Sequence, residues 1–170
     1  LGATSQIGQA LSPLLKLHGD VIVLSRKQAD FSLPEMLPLV LKREKPDVII
    51  NTAAFTSVDL AEENQDLAYT INAVAPGVIA KTANELGAWL IHYSTDYVFD
   101  VEKATPYTEI DTANPLNVYG HTKLKGEEAI TASTSQYLTF RTSWVYSVSG
   151  TNFITKILDL AKSEIKLYVV

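Results

Sequence analysis

Apolar and polar positions along the chain follow two patterns in alternation. Short strand-like runs stand at residues 21–24, 47–51, 88–93 and 136–141. Val48-Ile49-Ile50 is unbroken in its apolar character, as expected of a parallel strand covered on both faces. Longer segments of helical period lie between the runs. A helix is predicted to follow Gly8. A second is predicted from Ser32 as N-cap, with Glu35 three residues on, to Glu44, where Pro46 stops it. Others are predicted at 59–63, at 66–86 with Gly87 as terminator, from Pro115 through Lys123, and over 152–162. Val169 is expected inside a last strand. Strand and helix alternate throughout, which predicts an α/β fold with a doubly wound parallel sheet.

Composition narrows the class. The chain has 170 residues, enough for one packed domain, with 46% hydrophobic and 19% charged residues. A net charge of −5 argues against a large nucleic-acid or anionic-membrane footprint. With no cysteine there is neither a disulfide framework nor a thiolate metal site, and a cytoplasmic setting is the natural expectation. No signal peptide and no run long enough to span a bilayer is read. The chain begins without Met and ends on a strand-like run, so it reads as a piece of a longer protein. His18, His92 and His121 are scattered and read as structural or exposed, and no metal-ligand spacing or Gly-x-Ser-x-Gly elbow occurs.

The chemistry sits where predicted strands end. Gly2 and Gly8, six apart, bracket a strand–turn–helix junction of the kind that brings backbone N–H groups to a pyrophosphate. A glycine-flanked turn with no ligand fits these two residues equally well. Between them Ser5 occupies the usual place of a third glycine; its hydroxyl can donate to a phosphate, but serine tolerates positive φ poorly. After the run at 21–24 come Ser25, Arg26 and Lys27. No carboxylate stands there to grip a ribose 2′-hydroxyl, and a hydroxyl with two cations suits a 2′-phosphate, hence NADPH over NADH. A solvated basic turn is the other reading. Thr52, Ala53, Ala54, Phe55 and Thr56 follow the run at 47–51 with small residues that let a ligand lie against the backbone. Asn72 falls mid-helix, solvated or facing the sheet.

Ser94, Thr95 and Asp96 end the next run, and a long loop at 98–114 leads to Tyr119 and Lys123. These two are four apart and share a helix face. A nearby ammonium favours the phenolate and eases proton transfer near neutrality. With the Thr95 hydroxyl, the set suits passing a proton to or from a carbonyl or alcohol oxygen while hydride moves at carbon. Tyr-x-x-x-Lys also arises by chance in helices, with the Tyr half-buried and the Lys in water.

Five segments together resemble one family. They are Gly2-Ala-Thr-Ser-Gln-Ile-Gly8, Asn51-Thr-Ala-Ala-Phe-Thr-Ser-Val-Asp59, His92-Tyr-Ser-Thr-Asp-Tyr-Val-Phe99, Asn114-Pro-Leu-Asn-Val-Tyr-Gly-His-Thr-Lys123 and Arg141-Thr-Ser-Trp-Val-Tyr146. The family is the dTDP-4-dehydrorhamnose reductases, within the extended short-chain dehydrogenase/reductases. The resemblance implies a Rossmann-like domain over 1–145 and, over 146–170, the start of a smaller substrate-binding region, most of it outside this chain. It implies reduction of the 4-keto group of dTDP-4-dehydro-L-rhamnose with NADPH or NADH. The small-molecule nucleotide sugar would be the partner, with no nucleic acid and no membrane, and a homodimer is among the assemblies it allows.

By the same resemblance, Tyr119 protonates the new alkoxide, Lys123 binds the nicotinamide ribose and lowers the Tyr119 pKa, and Thr95 hydrogen-bonds the keto oxygen. Asp96 and Trp144 hold the sugar. Ser5, Gln6, Ile7, Asp30, Phe31, Ala54, Phe55, Thr56 and Tyr93 fall where the family contacts its cofactor. The sequence departs from the pattern at Ser5 and at Val101, where a glycine is usual, and the first strand is expected before Leu1. A non-catalytic relative resembling the regulatory subunit of methionine adenosyltransferase, and a nucleotide-sugar epimerase or dehydratase, are the competing readings. Retention of Thr95, Tyr119 and Lys123 favours an enzyme, and Ser-Thr-Asp-Tyr favours the reductase.

Overall fold

The computed structural model describes residues 1–147, 150 and 152–163. Its centre is a parallel sheet of β1 (Val48–Asn51), β2 (Trp89–Thr95) and β3 (Tyr137–Thr142), in that order. Register sets Asn51 beside His92, and His92 beside Thr139. Residues 1–3 lie along the free edge of β1: Leu1 N donates to the Ile50 carbonyl, and Thr52 N–H donates to Leu1 O. On their far side Ala3 N–H donates to Leu24 O. The chain therefore steps outward from 1–3 to 24, then returns to β1 on the opposite side, so the strand order reverses between residues 1–3 and β1. Crevices at such reversals, at the carboxyl ends of the strands, are where open α/β sheets take ligands.

The helices among the described residues are α1 (Gln6–Leu15), α2 (Leu37–Glu44), α3 (Val58–Glu63), α4 (Gln65–Tyr69), α5 (Ala75–Leu86), α6 (Val118–Ser133) and α7 (Phe153–Ser163). One face of the sheet is buried under helices, while Val48, Trp89, Leu138 and Phe140 on the other stay exposed, so the β1 run is not covered on both faces as its apolar pattern predicts. The core is a cluster in which Leu37 and Leu41 of α2 meet Ile49, Leu90, Ile79, Ala83 and Ile130. These side chains come from α2, β1, β2, α5 and α6, so one apolar layer ties the helices to the sheet.

Several element boundaries differ from expectation. Residues 21–24 form no ladder; only Leu24 is bonded to the neighbouring segment, through Ala3, and one bond does not make a strand. Ser32 is not an N-cap. Its N–H and hydroxyl both turn back to Asp30 Oδ1, a local Asx arrangement, and the helix begins as a 3₁₀ turn at Pro34–Met36. The helix expected over 66–86 begins at Gln65 and is interrupted by a π turn at Thr70–Val74, where Asn72 is buried. Gly87 ends it in the left-handed conformation, as expected. Pro115 lies before α6 rather than at its start. Asn117 is the cap, accepting from Gly120 N–H. The strand expected at Val169 lies outside the described residues. The loop at 98–114 is held by Tyr107, which stacks on Phe99 and donates to Asp100, and by the Lys103–Asp111 ion pair.

Candidate active site

A cleft of about 740 Å³ opens over the carboxyl ends of the strands. Its floor is the junction between residues 1–3 and α1. Gly2 has φ +83°, a conformation in which a side chain would run into Thr52 and Ala53. Ser5 has ordinary extended φ, so the serine causes no strain there. It is the N-cap of α1, accepting from Gly8 N–H and sharing a 2.7 Å hydrogen bond with Thr52 Oγ1. Since the Thr52 hydroxyl donates to the Leu1 and Gly2 carbonyls, the Ser5 proton goes to Thr52. This corrects the expectation that Ser5 donates to a phosphate: its one donor is used in holding the turn. Gly8 lies behind the cleft, pressed against the Gly2 carbonyl.

Most of the other expected residues line the cleft, namely Gln6, Ile7, Arg26, Asp30, Phe31, Ala54, Thr56, Tyr93, Thr95, Asp96, Tyr119, Lys123 and Trp144. Two besides Gly8 do not. The Ser25 hydroxyl turns to Gln28 Oε1, and Phe55 is held from behind, its N–H and carbonyl both bonded to the Asn72 side chain. Of the expected phosphate-facing Ser25, Arg26 and Lys27, only Arg26 lines the cleft, 3.5 Å from Asp30. The Asp30 carboxyl is held below its ordinary range, chiefly by the Ser32 side chain and N–H.

The catalytic candidates converge. Gly120 lets α6 press on the carbonyl of Tyr97, where any side chain would collide with backbone. This sets Tyr119 edge-on to Tyr97, ring centroids 5.6 Å apart, and against Thr95. Thr95 donates to Asp96 Oδ1, and Asp96 Oδ2 accepts from Ser143 at 2.7 Å. Trp144 sits at the mouth in a left-handed conformation, φ 51°, packed edge-on to Phe153. A bulky residue so placed is a strained position of the kind that gathers at ligand sites.

Lys123 is 1% exposed, and its ammonium donates to the Tyr93 carbonyl at 2.6 Å, with His92 Nε2 at 3.2 Å. Burial draws its pKa down to about 8. Tyr119 departs from the expected direction. Burial pushes the phenol above its ordinary value; contact with Thr95 lowers it, and the Asp96 charge adds to the rise. The ammonium is turned to Tyr93 and His92, so desolvation prevails over attraction. His92 is buried and kept neutral, first by burial and then by the Lys123 charge.

Sequence reasoning gave Asn51 and Ser143 no part in the site, and placed Thr52 and Ser94 at the ligand-binding strand ends without assigning either a role. The cue for Ser94 was available, since it ends β2 beside Thr95. The residue lines the cleft, and its buried Oγ has no partner among the described residues. Among those residues no His, Asp and Glu cluster is arranged for a metal, and no helix is long and apolar enough to cross a membrane.

A parallel sheet with a ligand cleft at its order reversal, and a Tyr and Lys one helical turn apart beside a threonine hydroxyl, define a Rossmann-like domain of the short-chain dehydrogenase/reductase type. The chain belongs to the RmlD substrate binding domain family, whose model matches residues 1–170. It is 47% identical to dTDP-4-dehydrorhamnose reductase of Shigella flexneri, across 99% of this chain and 58% of that protein. Among solved structures, it superposes on dTDP-4-dehydrorhamnose reductase from Clostridium acetobutylicum with a TM-score of 0.94 at 40% identity, covering 98% of this chain and 59% of that one. The corresponding enzyme from Bacillus anthracis, in complex with NADP, gives 0.93 at 34% identity, covering 98% and 60%. The chain thus spans about three-fifths of the length of these relatives.

Proposed function

We propose that the intact protein is an NADPH-dependent reductase that converts the 4-keto group of dTDP-4-dehydro-L-rhamnose to the alcohol of dTDP-L-rhamnose. The observation that carries this reading is the meeting of Thr95, Tyr119 and Lys123 on one wall of the cleft. Relatives named for this reaction, matched across nearly the whole chain, support the substrate. The cleft suits a dinucleotide. Its floor is a tight glycine turn at a helix N-terminus, which favours a pyrophosphate. When bound, the nicotinamide supplies hydride to the carbonyl carbon.

The chain's own residues do the rest. Gly2, Gln6 and Ile7 frame the pyrophosphate, with Ser5 and Gly8 shaping the turn beneath. Asp30, Phe31, Ala54, Thr56 and Tyr93 wall the nucleoside portions, while Phe55 acts from behind through its backbone. Arg26 meets the 2′-phosphate, in keeping with the relative crystallised with NADP. Tyr119 gives its proton to the substrate oxygen. A raised pKa keeps that phenol protonated at neutral pH, ready to donate. Thr95 orients the keto oxygen, and Asp96 and Trp144 hold the sugar. Residues 1–145 form the cofactor domain and 146–170 open the substrate region. A cytoplasmic enzyme drawing on the NADPH pool, assembled as a homodimer, completes the reading.

An assay of the intact protein, following NADPH absorbance with dTDP-4-dehydro-L-rhamnose, should show substrate-dependent oxidation. Binding of NADPH without turnover of this sugar would reject the assigned reaction.

A further inference from the structure

A line of hydrogen bonds runs beneath the cleft, and the direction of every bond in it is fixed by its first member. Ala53 N–H, a backbone group that can only donate, points at Asn51 Oδ1 at 3.0 Å. The other half of that amide, Nδ2, therefore faces His92, 3.0 Å from Nδ1. An NH₂ group can only donate, so Nδ1 must be the accepting nitrogen. In a neutral imidazole the proton then sits on Nε2. That nitrogen is 3.2 Å from Lys123 Nζ, and both atoms are buried.

An ammonium in this place would oppose its N–H to the ring N–H. An amine would not: its lone pair accepts from Nε2, one N–H goes to the Tyr93 carbonyl, and one remains for the cleft. We infer that Asn51 and His92 are positioning residues that favour the neutral amine form of Lys123 in the cleft before a cofactor enters. Turning the Asn51 amide would set NH₂ against the Ala53 N–H, and moving the histidine proton to Nδ1 would set it against the Asn51 NH₂. Only the amine satisfies all four groups.

The surroundings leave this arrangement in control. The titratable groups around Nζ are His92 and Tyr93 of β2 and, on its own helix, Tyr119 and Glu127; Asp96 lies further along the cleft. Glu127 favours the ammonium, but Arg141 of β3 claims that carboxylate in a two-pronged contact. Burial already draws Lys123 down to about 8, and the ring N–H acts in the same direction. On the proposed function, Lys123 is then a group whose charge changes near working pH. Entry of a polyanionic dinucleotide favours the ammonium and brings a proton onto Nζ.

The test is nuclear magnetic resonance on the intact protein without cofactor or substrate, so its outcome is independent of the assigned reaction. Long-range ¹H–¹⁵N spectra should show His92 protonated at Nε2 alone. Labelled lysine should show Lys123 titrating at or below about 8. Asn51→Asp, which presents acceptors to both neighbours, should move the His92 proton to Nδ1 and raise the Lys123 titration by about a unit or more. A wild-type His92 protonated at Nδ1, or a Lys123 that titrates with ordinary lysines, would overturn the inference. If Asn51→Asp does not fold, the wild-type spectra alone decide. Should the spectra agree while the enzyme assay fails, the relay stands and the reaction falls.

Discussion

Gly126 of α6 and Asn72 of the π turn meet backbone to backbone: a Cβ on Gly126 would collide with the Asn72 carbonyl. The contact lets the Asn72 side chain reach both the Phe55 backbone and Thr122 Oγ1, so one amide joins the loop after β1 to the helix that carries Tyr119 and Lys123. Gly to Ala in a helix interior ordinarily stabilises by roughly 0.5–1 kcal/mol. Here the sign should reverse. Gly126→Ala is expected to destabilise by about 1–3 kcal/mol, the scale of an overpacked core. Urea unfolding measures it, and an unchanged or higher midpoint would show that the helix moves away without cost.

Tyr119→Phe keeps the ring and its packing on Tyr97 but removes the donated proton. Turnover should fall by roughly two decades or more, the scale of general acid catalysis, while cofactor affinity stays within about threefold. The measurement is kcat beside a fluorescence titration with NADPH. Near wild-type kcat would remove Tyr119 from its role.

Much of this architecture is written locally. Apolar runs located β1, β2 and β3, and Gly87 marked a helix end, because a strand's apolar run and a left-handed cap each leave a signature within a few residues. Tyr119 and Lys123 were legible as a pair because helix geometry brings i and i+4 together. What the sequence hid is what depends on distant partners. Asn51, His92 and Lys123 are joined across 41 and 31 residues, and nothing near any of them announces the others. The direction of the Tyr119 shift was misjudged for the same reason: sequence showed the neighbouring ammonium but neither the burial nor the Tyr93 carbonyl that engages it. Ser25 followed a strand-end rule, yet Gln28 three residues on takes its hydroxyl.

Arg26 carries the proposed preference between nicotinamides alone, since Ser25 is turned away and Lys27 does not line the cleft. Arg26→Ala should weaken NADPH binding by about tenfold or more, the worth of a charge-assisted hydrogen bond, and leave NADH nearly unaffected. Comparing KM for both cofactors checks this. Equal losses for the two would assign Arg26 to the shared part of the dinucleotide or to its pair with Asp30.

Val101 holds φ 57° while 78% exposed, so a β-branched residue sits in the left-handed region with no packing to repay it. The left-handed conformation costs an L-residue roughly 1–2 kcal/mol, and glycine returns about half of that through its greater freedom when unfolded. Val101→Gly should therefore raise Tm by a few degrees at most, with activity unchanged. A lower Tm on thermal unfolding would mean that the loop reaches this conformation without strain.

Lys123 gives stability a pH dependence with a definite sign. Its pKa is about 8 when folded against 10.5 for the ordinary side chain, so between these values the unfolded chain binds more protons. Stability from this group therefore rises with pH across that window; below about 8 both states are charged and the full cost of burying the ammonium is present. The span allows a gain of at most about 3 kcal/mol. Lys123→Met has no such proton, and other titrations cancel when the two proteins are compared. Urea unfolding at pH 7.5 and at pH 10 should show wild type gaining on Lys123→Met as pH rises. A constant difference would mean that Lys123 keeps its ordinary affinity for the proton in the folded protein, and with it a charge beneath the cleft at every pH in that range.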